Sequence, residues 1–232
     1  MTSRNDQLGF GDLLAEAERQ NDCQRQDRET AHLPGTMDEA VPYLHGLIAK
    51  HHAAMLAADA ATAMALRAEA DLLATKLNRF EPGILAGPDA PGCRLDRETR
   101  ASDGTVPLWG QSGCFEICVL DMRVLIELEG LFGICASVCP LLGFAARAID
   151  WERPFLSETG YRSFLGLSGD LQPNLTPEQF VRNVVTAHIV RDLKGKLLPI
   201  KPQYRDRHQQ TALPPSNAGH CVAEESGGKR DR

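Results

Sequence analysis

The sequence lacks any apolar run approaching the ~18 residues that a membrane-spanning helix needs. Its opening, MTSRNDQLGFGDLLAEAERQND, is too polar for the core of a secretion signal. It also lacks the short patterns that carry chemistry on sight: there is no P-loop, dinucleotide fingerprint, nucleophile elbow or HExxH. No cofactor is therefore expected. Positive charge is not in excess, since 25 Lys and Arg stand against 31 Asp and Glu, a net charge of -6. That excludes a surface coated throughout for nucleic acid, though not a local basic patch. Lysine is scarce, with 6 against 19 arginines, the usage of a GC-rich bacterial genome. Cysteine falls short of disulfide-scaffold density, and its odd count of seven reads as free thiols in a reducing compartment. These absences place the chain in a bacterial cytoplasm with no membrane association.

What remains is ordinary globular material, 43% hydrophobic and 24% charged. Residues 1–36 are rich in Asn, Gln, Asp and Arg around one apolar cluster, Leu8, Phe10, Leu13 and Leu14, and read as a disordered arm with a marginal helix. Residues 204–232 are polar and broken by Pro and Gly, and read as a disordered tail. A single α+β domain is expected over residues 37–203. Its first part is a helical hairpin, with Val41, Leu44, Ile48, His51 and Met55 on one apolar stripe and Leu66, Ala70, Leu73 and Leu77 on the other. Asp59 is placed to cap the second helix. Residues 79–104 carry too much Pro and Gly for a long helix; connections of this length are usually functional or hide a further element.

From Thr105 the period falls to two, which predicts an antiparallel β-meander. Phe115, Ile117 and Val119 form one run, Val124, Ile126 and Leu128 the next, Ile134, Ala136 and Val138 a third, and GFAARAID a fourth, less regular one. A turn at Asp121 and Met122 would set Val119 opposite Val124 and Glu116 opposite Glu127. A C-terminal helix follows, with Thr176 as N-cap, Pro177 in the first turn and Gln179 completing a capping box. Gly195 is suited to end it.

Two CxxxC pairs, Cys114 with Cys118 and Cys135 with Cys139, are the nearest approach to a chemical signature. Alternation separates the members of a pair by about 13 Å along a strand and the two pairs by about 10 Å across the sheet. Zinc needs its thiolates about 2.3 Å away and a disulfide needs α-carbons within about 7 Å. No metal site is expected. The thiols are assigned instead to a sheet face covered by the helices, which would leave the sheet packed on both sides. His45, His51 and His52 are likewise not spaced as a ligand set, because His51 lies in the apolar stripe and the other two are seven residues apart.

The stretch DWERPFLSETGYRSFLGLSGD gathers Trp151, Ser157, Glu158, Thr159, Tyr161 and Arg162 on what reads as a loop after the last strand, with Trp109 as a possible neighbour. Donors, acceptors and aromatic faces on a loop held by rigid elements suit binding. The leading expectation is a non-catalytic binding or accessory protein with a protein partner. One alternative is a nucleic-acid-associated role for the basic 182–207 region, comprising Arg182, Arg191, Lys194, Lys196, Lys201, Arg205 and Arg207. Another is a small hydrolase using Glu116, Glu127 and Glu129, because opposed carboxylates can raise one pKa for acid and base work.

Overall fold

The computed structural model describes residues 10–133, 139–141, 143–165, 167, 169 and 171–205. The architecture is α+β: helices at the N-terminal side, a four-stranded antiparallel sheet, and a C-terminal helix. Helix α1 (Phe10–Glu29) is longer than the apolar cluster at its start suggests, and most of its residues are exposed. Packing begins just after it. Thr30 and Leu33 are buried, and the Lys76 ammonium donates to both of their carbonyls at 2.9 and 2.6 Å.

Helices α2 (Met37–Leu56) and α3 (Ala60–Leu77) form the expected hairpin. Asp59 accepts from the Thr62 amide at 3.0 Å, which satisfies one of the orphan donors of α3. Ala63, Ala70 and Ala74 are fully buried, and their small side chains let the two backbones approach. The long connection that follows carries a short helix, α4 (Pro91–Glu98), with proline in its first turn. Leu95 buries its side chain against α2 and α3.

Strands β1 (Gly113–Val119), β2 (Met122–Leu128), β3 (Phe144–Ala148) and β4 (Tyr161–Phe164) lie in sequence order. The β1–β2 hairpin pairs Val119 with Met122 and Ile117 with Val124, two residues away from the expected register. The turn residues are Leu120 and Asp121, both at positive φ (49° and 60°). That geometry matches the twist of the strands it joins, and aspartate tolerates it better than Met122 would. A slip of two leaves every side chain on its face. Phe115, Ile117, Val124, Ile126, Leu128, Phe144 and Ala146 therefore share one buried face. Helix α5 (Pro177–Arg191) supplies Phe180, Val181, Val185 and Ile189 to the same core, and its capping box of Thr176 and Gln179 forms as expected.

Beyond the register, one expectation goes untested and one fails. The predicted third strand over residues 134–138, with Cys135, lies outside the described residues. The place beside β2 belongs to β3, so Glu127 faces Ala145. The failure concerns the face bearing Cys114 and Cys118, which no described helix covers. Cys118, Glu116, Arg123 and Arg147 are exposed on it, and among the described residues the sheet is packed on one side only. Charge explains why that face stays wet. Arg123 grips both oxygens of Glu116 at 2.7 and 3.1 Å, and Arg147 donates to Glu127 at 3.0 Å.

A buried polar latch ties the hairpin to the segments that precede β1 and β3. Arg67, 3% exposed, donates to His51 Nε2 at 3.0 Å and to the carbonyls of Cys139 and Pro140 at 2.9 and 2.7 Å. With Nε2 accepting, His51 Nδ1 carries the proton and donates to the Trp109 carbonyl at 3.0 Å. His52 Nδ1 accepts from the Trp109 amide, and the indole N–H donates to the Leu175 carbonyl. Burial, with the neighbouring Arg67 charge, drops the His51 pKa to about 4, so the ring is neutral at pH 7.

Candidate ligand groove

The residues singled out in the 150–170 stretch divide between framework and surface. Trp109 is 0% exposed and packs edge-on to Phe180 at 5.3 Å, so it is a core residue and presents no ring to a surface. Trp151 lies against Gly160: a Cβ there would sit 2.5 Å from its ring, and φ is 72°. Only glycine permits both the turn and the approach. The segment expected to be loop throughout contains β4, because Tyr161–Phe164 pairs with β3. Ser157 and Thr159 do not cap a helix. Their hydroxyls donate to the Tyr161 carbonyl at 2.7 and 3.0 Å. Since Ala148 bonds to Gly160 across the β3–β4 pair, alternation points the Tyr161 backbone outward. The two hydroxyls thus blunt the exposed strand edge. Glu158 is held by Lys201, not by Arg162, and Arg162 lies exposed with its guanidinium 5.8 Å from the Phe164 ring.

Tyr161 alone of that set reaches a groove of about 610 Å³ on the open face of the sheet. Its wall is α4 with the residues after it, from which Cys93, Asp96 and Arg100 face in. Its floor is the ends of β2 and β3, with Ala145 on the open face and Leu128 and Phe144, whose side chains belong to the core, at its edge, and its far side is β4 with Tyr161, Ser163 and Leu165. The loop from Glu129 to Gly133 closes one end. Glu127 and Glu129, named as candidate catalytic carboxylates, both line it; Glu116 does not. Glu116 and Glu127 are not opposed across a strand pair, since Glu116 faces Leu125 and Glu127 faces Cys114. Each is engaged by its own arginine, and Arg123 holds the Glu116 carboxyl below the usual range. The like-charge repulsion that would have tuned them for acid and base chemistry is absent from this pair.

Sequence reasoning missed Asp96, Arg100 and Ser112. Burial pushes the Asp96 carboxyl above its ordinary pKa, against the smaller lowering effects of Ser112 and Arg100. Two glycines shape the acidic end. A Cβ on Gly130 would lie 2.6 Å from Asp96 Oδ1, and one on Gly133 would lie 2.7 Å from Glu129 Oε2. Both carboxylates rest against loop backbone that no side chain could share. The motif EGLFG in a strand-to-loop exit was the one local signal. Arg100 leans away, its Nη2 2.8 Å from Cys114 Sγ.

The basic 182–207 region is neutralised in part where it is described. Arg182 pairs with Glu178 and donates to the Cys118 carbonyl, Lys201 pairs with Glu158, and Arg205 pairs with Glu152. Arg207 lies outside the described residues. Among the described residues no group of three or more His, Cys, Asp or Glu side chains could hold a metal ion, and no helix is long and apolar enough to cross a membrane.

No family model and no solved structure matches the chain. Two bacterial relatives do. The sequence is 32% identical over 191 residues to Protein KlcB of Escherichia coli, an alignment covering 82% of this chain and 45% of that protein. A second Protein KlcB from Escherichia coli is 42% identical over 81 residues, 35% of this chain and 17% of its own length. The chain thus spans less than half the length of the curated relatives it matches, and it is similar to a part of a longer bacterial protein.

Proposed function

We propose that this chain is a non-catalytic binding or accessory protein of a bacterial cytoplasm that holds a protein partner in the groove between α4 and the open sheet face. The observation that carries the reading is the groove itself. It is large enough for several side chains, Leu85, Phe132 and Leu165 give it apolar surface, and its rim offers Asp96, Ser112, Ser163 and Tyr161 for orientation. The hydrolase alternative loses its basis with the corrected register, because Glu116 and Glu127 are separate ion pairs. Three cations of the nucleic-acid alternative, Arg182, Lys201 and Arg205, are already engaged in ion pairs, which leaves that reading Arg191, Lys194 and Lys196 among the described residues.

The test is a blocking substitution. Ser163→Trp adds bulk on the open-face side of β4, where aromatic residues suit a strand. Proteins retained from bacterial lysate by the wild-type chain should be lost by this variant while its melting temperature stays within a few degrees. Hydrogen exchange on the wild-type complex should protect residues 127–133 and 161–165. Retention of the same partner by Ser163→Trp, with those segments unprotected, refutes the groove.

A further inference from the structure

We draw no further inference here: the strongest candidate, the apolar cavity of about 590 Å³ between α3, with Met64 and Leu72 on its wall, and the loop from Leu131 to Gly133, carries nothing because nothing in the structure shows what covers it.

Discussion

The latch between the helical hairpin and the segments that precede β1 and β3 makes a definite statement about acid stability. His51 is 0% exposed and its pKa is lowered from 6.5 to about 4, chiefly by burial, with the Arg67 charge adding to the effect. The unfolded chain takes up a proton near pH 6.5; the folded chain refuses it until about pH 4. Between those values the unfolded state binds more protons, so stability rises with pH. The contribution is complete above about pH 6.5, is lost as the pH falls, and levels off below about pH 4. At about 1.4 kcal/mol per pH unit the full loss is about 3 kcal/mol. The assay is urea unfolding from pH 4 to 8 on the wild type and on His51→Gln, whose amide oxygen can still accept from Arg67. At pH 8 the variant should be the less stable, because the Trp109 carbonyl loses its donor, a cost of about 1–3 kcal/mol. Toward pH 4.5 the difference between the two proteins should shrink by about 2 kcal/mol or more, since only the wild type has this titration. Carboxylates and the other histidines are common to both and cancel. A stability difference that stays constant from pH 8 to 4.5 refutes the assignment of a neutral, buried His51.

Gly160→Val should cost about 2 kcal/mol or more in thermal or urea unfolding, because it combines a left-handed backbone with a Cβ 2.5 Å from the Trp151 ring. Arg162→Ala with Tyr161→Phe should stay within about 1 kcal/mol of wild type, as both side chains are exposed and Glu158 pairs with Lys201; a loss of about 3 kcal/mol would mean that Arg162 is a buried structural charge. Among the described thiols, Cys118 should be alkylated first and Cys139 slowly, read by mass spectrometry of the modified peptides, since Cys118 is exposed and Cys139 is half-buried with its Sγ 3.5 Å from the Leu167 carbonyl. In the same preparation a chelator should leave the melting temperature unchanged, and one equivalent of tightly held zinc would contradict the separation of Cys114 from Cys118 along β1.

The elements that could be read in the sequence are those whose information is local. Asp59 and Thr176 cap their helices because the orphan amides of a first turn lie within three residues of the cap. The apolar stripe of α2 and the alternation of β1 and β2 survive even a wrong turn, since a two-residue slip preserves both faces. What could not be read depended on partners distant in sequence. Whether the cysteine face was covered turned on where the helices pack, and Ala54 and Met55 of α2 and Ala63 of α3 join the core on the opposite face. The 134–138 run had the alternation of a strand, yet β2 pairs with Phe144–Ala148. Tyr161–Phe164 is four residues long and carries Arg and Ser between its aromatics, too short a run for period two to stand out. Trp109 looked like a surface residue because Gly and Pro surround it, but its indole N–H finds the Leu175 carbonyl and the ring becomes core.

The groove is the extreme case of this dependence. Its lining comes from α4, from Ser112, from the exit of β2, from the start of β3 and from β4, so no window of the sequence contains more than a fraction of it. One feature did bear on it. The connection over residues 79–104 is longer than a compact domain needs, and such connections are commonly functional. Here it delivers α4, whose Leu95 is fixed in the core of the hairpin while Asp96, the next residue, is carried to the groove. Anchor and wall are adjacent positions on one short helix. The position of Asp96 is therefore set by the packing of Leu95, and an aliphatic substitution there that shifts α4 should disturb groove binding before it unfolds the sheet. Leu95→Val, assayed by retention of the partner from lysate and by melting, distinguishes the two outcomes: binding weakened with the sheet's melting transition retained supports this coupling, and unchanged binding with lowered stability breaks it.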